Sequence, residues 1–166
     1  MATQKIYDQT DNWASLAAQV ADWQAAGLKV AFTNGCFDLV HRGHTDYLEG
    51  TRALADKLVV ALNTDASVRR LKGPKRPVAD EDGRLHVISA LGCVDAVTLF
   101  DEPTPLAIIT ALKPDVLTKG DDYTIENIVG AQEVLANGGS VLTVPLVPGY
   151  STSALIKKVL EAYGQS

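Results

Sequence analysis

The sequence predicts a doubly wound, Rossmann-like α/β domain with a parallel sheet of about five strands. Three observations predict it. Short apolar runs alternate along the chain with segments of helical periodicity, the pattern of repeated βαβ units. Residues 57–62 (KLVVAL) are apolar almost throughout, as a strand covered on both faces must be. Residues 29–48 (KVAFTNGCFDLVHRGHTDYL) read as strand, glycine loop and helix. Such a crossing aims backbone N–H groups and a helix N-terminus at one point, which suits an anion such as phosphate.

The elements follow in order. Residues 11–26 form a helix, with Asp11 or Asn12 as cap and Trp13, Leu16, Ala17, Val20 and Trp23 on one face. Gly27 ends it. The apolar run Val30-Ala31-Phe32 is the first strand and breaks at Asn34-Gly35. Beyond His41 and His44, Tyr47, Leu48, Ala53, Leu54 and Leu58 recur at helical spacing. Residues 57–62 are the second strand, and Asn63-Thr64-Asp65 supplies a turn and cap. Strand, helix, strand in this order implies a right-handed parallel crossover. Its glycine loop then lies at the carboxyl end of the sheet, where open α/β folds place ligands.

Residues 68–78 (VRRLKGPKRPV) hold five basic side chains, a glycine and two prolines, and read as a loop rather than a continuing helix. A solvated basic loop is the plain interpretation. Against an acidic background, and near a phosphate loop, a polyphosphate clamp using Lys72 and Arg76 is preferred. Asp80-Glu81-Asp82 starts the next helix, which carries Arg84 and a His86 without a catalytic role. Residues 93–100 form the third strand, residues 106–112 a helix opened by Pro103 and Pro105, and residues 115–118 the fourth strand. Lys119-Gly120-Asp121-Asp122-Tyr123 is a second strand-end loop rich in functional groups. Residues 126–136 are expected to be helical, Asn137-Gly138-Gly139 stops them, and residues 140–144 form the fifth strand. Ser151, Thr152 and Ser153 cap the last helix, residues 154–162, and can equally donate to a phosphate there.

Composition bounds the function. The 166 residues fit a single domain, residues 1–166, with 1–27 as a helical extension. A net charge of −5 argues against a general nucleic-acid binder. The polar N-terminus lacks a signal-peptide core, no run approaches the length of a membrane span, and two cysteines suit a reducing compartment. The expectation is a cytoplasmic protein without membrane or nucleic-acid partners. No metal site is expected either. The histidine pair lacks further ligands, and Cys36 and Cys93 form no CxxC pair. Cys36 reads as a small residue fitting its loop rather than a thiol nucleophile.

The run GCFDLVHRGH resembles the GxFDxxHxGH signature of the nucleotidyltransferase superfamily that includes the cytidylyltransferases. That resemblance implies that His41 and His44 contact nucleotide phosphates and stabilise the transition state. Further stretches resemble the heptose-1-phosphate adenylyltransferases, the family of ADP-heptose synthases: residues 62–78, 90–100, 112–131 and 144–156, beside 32–44. The resemblance implies transfer of AMP from ATP to D-glycero-D-manno-heptose 1-phosphate for bacterial surface polysaccharide. It also implies Mg²⁺ carried mainly on the ATP phosphates and a homodimer; in many relatives the domain follows a sugar kinase, and with 166 residues here the kinase is expected to be a separate protein. By the same resemblance the nucleotide is held by Asn34, Gly35, Cys36, Phe37 and Asp38 with the two histidines. Lys72, Arg84, Lys119, Gly120, Asp122, Ser151, Thr152 and Ser153 join them. Two departures keep alternatives open. Asp121 replaces a frequent glycine, giving a Gly-Asp-Asp-aromatic run like that of glycerol-phosphate cytidylyltransferases. Leu146 lies near where those enzymes carry an arginine. The alternatives are a cytidylyltransferase for glycerol 3-phosphate or a similar small phosphate, and a nucleotide-binding module without turnover.

Overall fold

The computed structural model describes residues 5–164. The strands are β1 (Val30–Gly35), β2 (Lys57–Asn63), β3 (Ala96–Phe100), β4 (Val116–Gly120) and β5 (Ser140–Val144). They form one sheet, every pairing parallel, in the order β3-β2-β1-β4-β5. The helices are α1 (Ala14–Ala25), α2 (Arg42–Arg52), α3 (Asp65–Lys72), α4 (Glu81–Ser89), α5 (Leu106–Leu112), α6 (Ala131–Ala136) and α7 (Thr152–Tyr163). The doubly wound α/β class is therefore as expected from sequence.

Alternation along the strands builds two cores. Val30, Phe32, Val59, Ala61 and Leu117 face α1, α5 and α6, meeting Leu16, Val20, Ile109 and Val134. Ala31, Leu58, Val60, Leu62 and Val116 face α2 and α4, meeting Tyr47, Leu48, Leu85 and Ile88. Every residue of β2 beyond Lys57 is buried, which is why that strand reads as unbroken apolar sequence. A run of hydroxyls pins α2 beneath β1 and β4. Tyr47 Oη lies 2.8 Å from Thr33 Oγ1 and 3.2 Å from Thr118 Oγ1, and Thr51 Oγ1 is 3.1 Å from Thr118 Oγ1. Each buried hydroxyl thus finds a partner, as burial demands.

Several boundaries differ from the sequence reading; β2, β4 and α7 shift by only one or two residues at an end, and five differences are larger or have a distant cause. Leu58 belongs to β2 and not to the preceding helix, because α2 ends at Arg52 and the chain must return to pair with β1. α1 starts at Ala14: Asn12 and Trp13 take left-handed φ of 53° and 60°, turning the Trp13 indole inward to donate to Leu99 O at 2.9 Å. Asp11 still serves that end, accepting the Ser15 N–H at 3.0 Å. Residues 68–72 are helical, the end of α3; Gly73, at φ 93°, breaks the helix, and the loop is confined to residues 73–79. Residues 126–136 are not one helix. A 3₁₀ turn (Ile125–Asn127) and α6 are separated at Gly130, whose φ is 87° and where any Cβ would sit 2.7 Å from Ile109 Cδ1. β3 begins at Ala96 rather than at Cys93, once residues 90–95 have turned off α4.

The N-terminal segment carries a contact that polar sequence gave no sign of. Tyr7 N–H donates to Val97 O at 2.9 Å, and Val97 N–H to Lys5 O at 2.7 Å, covering the outer edge of β3. Among the described residues no helix is long and apolar enough to cross a membrane. The strand order reverses direction at β1 and β4, so a crevice opens above their carboxyl ends.

Candidate active site

The crevice is a cleft of about 640 Å³. It is lined from the β1–α2 loop, α3, and the segments following β3, β4 and β5. Of the residues singled out from sequence as phosphate or nucleotide contacts, all but Arg84 line it: Asn34, Gly35, Cys36, Phe37, Asp38, His41, His44, Lys72, Arg76, Lys119, Gly120, Asp122, Ser151, Thr152 and Ser153.

The β1–α2 loop is forced into its path. Phe37 and Leu39 adopt left-handed φ of 47° and 50°. His41 is the N-cap of α2, and its extended backbone brings the two imidazoles together. Their ring centroids are 3.8 Å apart, with 21° between planes. Gly43 is required between them, because a Cβ there would meet the His41 ring at 2.9 Å and Tyr150 Cβ at 3.1 Å. The edge of Phe37 packs on His44 at 5.4 Å between centroids.

Electrostatics favours neutral imidazoles. Burial, with His41 adding to it, lowers the His44 pKa from 6.5 to about 4; burial lowers His41 as well. The His41 backbone N–H points to His44 Nδ1 at 3.4 Å, a long hydrogen bond that assigns the ring proton to Nε2. His44 is thus a neutral Nε2–H donor. His41 Nδ1 is buried with no hydrogen-bond partner among the described residues, as is Asn34 Oδ1. Burial also lowers Lys119 to about 8, while its ammonium donates to Asn34 O at 3.0 Å. Burial pushes the Cys36 thiol up, away from a reactive thiolate.

Asp38 has a structural task. Its side chain is fully buried, and it accepts from Arg76 Nε at 2.6 Å, Val78 N at 2.9 Å and Ala79 N at 3.0 Å. Burial alone would raise its pKa; the Ala79, Val78 and Arg76 donors outweigh burial and hold it below the usual carboxylate range. Its backbone carbonyl accepts from Thr152 Oγ1 at 2.7 Å. Arg76 therefore lines the cleft while its Nε is held by Asp38, and Lys72, on the exposed end of α3, lines it without an ion-pair partner among the described residues. Arg84 turns away from the cleft. It is 1 % exposed and donates to Cys36 O at 2.7 Å, Asp65 Oδ1 at 2.8 Å and Ala79 O at 3.2 Å, bracing the loop from behind. Asp122 lines the cleft with no hydrogen bond to another described residue.

The sequence reading missed several lining groups. Asn63 and Phe100 stand at the carboxyl ends of β2 and β3, and that position was the available signal. Leu71, Pro103, Pro105 and Tyr150 gave none, because loops and a helix end bring them in from distant sequence.

The switch-point cleft thus gathers two neutral imidazoles and the hydroxyl-bearing start of α7, and the comparisons define the class of the chain as a nucleotidyltransferase enzyme. The chain belongs to the cytidylyltransferase-like family, whose model matches residues 32–158. It is 62 % identical over 141 residues to the "Bifunctional protein HldE" of Azorhizobium caulinodans, covering 85 % of this chain and 29 % of that protein. To the HldE of Trichlorobacter lovleyi it is 56 % identical over 148 residues, covering 89 % and 30 %. The chain thus spans under a third of the length of these relatives. Among solved structures it resembles a lipopolysaccharide core biosynthesis protein from Thermoplasma volcanium (TM-score 0.59, 31 % identity, 73 % of this chain and 98 % of that one). Pantoate-beta-alanine ligase from Francisella tularensis, at 14 % identity and TM-score 0.60, covering 99 % of this chain and 80 % of that one, shares the fold.

Two outcomes check the site. In an NMR titration the His44 imidazole should stay neutral until about pH 4. Because its folded pKa lies below 6.5, the unfolded chain takes up the proton first. Its contribution to stability is then complete above about pH 6.5 and is lost as pH falls towards 4. Arg76→Ala, which strands a buried carboxylate, should cost about 3 kcal/mol in denaturant unfolding, whereas Lys72→Ala should stay within about 0.5 kcal/mol.

Proposed function

We propose that the domain transfers AMP from ATP to D-glycero-D-manno-heptose 1-phosphate, giving ADP-heptose and pyrophosphate for lipopolysaccharide precursor synthesis in the cytoplasm. The observation that carries the proposal is the meeting of His41 and His44 with Thr152 and Ser153 in one cleft, 114 residues apart at the Asp38–Thr152 bond. Identity of 49–62 % with bifunctional HldE proteins, together with the adenylyltransferase-like stretches of sequence, supports this acceptor.

In this reading an oxygen of the sugar 1-phosphate attacks the α-phosphorus of ATP. A new P–O bond forms, the bond from the α-phosphorus to the bridging oxygen breaks, and pyrophosphate leaves with the electron pair. No covalent nucleophile on the protein is needed, because the acceptor is already an anion. The barrier is crowded negative charge, so the protein contributes positioning and electrostatic stabilisation. Neutral His44 donates through Nε2–H, and the α7 start adds N–H and hydroxyl donors. Lys72 offers the cationic end of α3. No group of three or more His, Cys, Asp or Glu that could hold a metal occurs among the described residues. Mg²⁺ would ride on the ATP phosphates and neutralise charge there, and Asp122, which lines the cleft beside Lys119, is the carboxylate that would meet it. A sugar kinase supplies the acceptor. The relatives' bifunctional name, and the two thirds of their length that this chain does not span, leave room for that activity beside this domain.

A second reading, a cytidylyltransferase for glycerol 3-phosphate, draws on the Gly120-Asp121-Asp122-Tyr123 run. Pyrophosphate release separates the two when ATP and CTP are each paired with heptose 1-phosphate and glycerol 3-phosphate. ATP with heptose 1-phosphate should be the productive pair; release with CTP and glycerol 3-phosphate would replace the first reading by the second, and ATP binding without release across all acceptors would point to a non-catalytic module. In the productive pair His44→Ala should lower kcat about a hundred- to a thousand-fold with the fold intact, and near-normal turnover would remove His44 from the mechanism.

A further inference from the structure

The cleft's outer wall is the strap between β5 and α7, residues 145–151. Leu146, Val147 and Tyr150 of this strap line the cleft. Its far end is fixed: Thr152 Oγ1 donates to Asp38 O at 2.7 Å, and the Tyr150 ring lies 6.4 Å from that of His41 with 28° between planes. Its near end would be free, since the β4–β5 ladder closes at Gly120 and Val144. Asp121 carries the pairing one step further. Its backbone N–H donates to Val144 O at 3.1 Å, and its carboxylate Oδ1 accepts the Leu146 N–H at 3.2 Å. With Leu146 so held, its side chain lies over Gly120, where a Cβ would come within 2.9 Å of Leu146 Cδ1. Asp121 itself does not line the cleft, whereas its neighbour Asp122 does.

We propose that Asp121 is a positioning residue that latches the strap through the Leu146 amide and so sets the width of the nucleotide cleft. The proposal rests on the nucleotidyl-transfer reading above. The latch needs an acceptor oxygen at this place and no charge: Asn can supply it and Ala cannot. Its loss loosens the near end of the wall against which the nucleotide is held, while the far end, with Tyr150 beside His41, stays tied to Asp38 through Thr152.

The test is steady-state kinetics on wild type, Asp121→Ala and Asp121→Asn with saturating acceptor, together with amide exchange on the wild type. Asp121→Ala should raise KM for ATP about tenfold, the equivalent of one hydrogen bond, with kcat within about twofold. Asp121→Asn should return KM to within about twofold of wild type. In wild type the Leu146 amide should exchange more slowly than that of Val147, a measurement that stands even if Asp121→Ala does not fold. An unchanged KM in Asp121→Ala, an Asp121→Asn variant as impaired as Asp121→Ala, or fast Leu146 exchange would overturn the latch. Wild type that transfers no nucleotide with any substrate pair would instead overturn the reading beneath it.

Discussion

The buried carboxylate of Asp38 is the constraint on which the cleft depends. A carboxylate with no exposed surface is costly unless every lone pair is met. Here one arginine and two backbone amides meet it, all from residues 76–79. The carbonyl of the same residue holds the start of α7. One residue thus joins three segments that are far apart in sequence: the β1–α2 loop, the loop after α3, and the mouth of α7. Arg84 repeats the device one layer deeper, joining Cys36, Asp65 and Ala79. The loop's left-handed turns at Phe37 and Leu39 are held in place by this cross-linking.

With its walls joined, the site can rely on fixed dipoles. Burial keeps His44 neutral, while Lys119, lowered to about 8, still carries its charge at neutral pH, so the cleft sets oriented neutral donors beside a buried cation. Donors fixed before reaction need no reorganisation when charge builds up on a phosphate, and they act more strongly where water is scarce. The hydroxyl run from Thr33 through Tyr47 to Thr118 holds α2, and with it the histidine pair, against the two strands that frame the crevice. Core and cleft therefore share one helix, α2: one face reaches the core through Tyr47 and Leu48, and its first turn faces the cleft.

Much of this was legible in the sequence. The strands read as apolar runs because a parallel sheet is covered on both faces, and the glycine loop with its two histidines marked the crevice. The elements misread are those decided by distant contacts. Gly130 breaks a helical pattern because Ile109 approaches its backbone, and nothing local announces that. Trp13 leaves the helix to reach the Leu99 carbonyl, 86 residues away. Arg76 and Arg84 look alike as basic residues near a phosphate loop. Their partners, Asp38 and Asp65, draw both guanidinium groups into structural pairs, and side-chain chemistry alone does not say which cations stay free. Lys72, Arg76 and Lys119 all reach the cleft, and of the three Lys72 has neither an ion pair nor a side-chain hydrogen bond to another described residue.

The most direct test of the account is a crystal structure with a non-hydrolysable ATP analogue and Mg²⁺. A pre-assembled cleft predicts the triphosphate between the His41–His44 pair and the Thr152–Ser153 start of α7, with the Asp38–Arg76 pair intact. A nucleotide lodged elsewhere, imidazoles turned away from it, or an Asp38–Arg76 pair opened by binding would contradict the account.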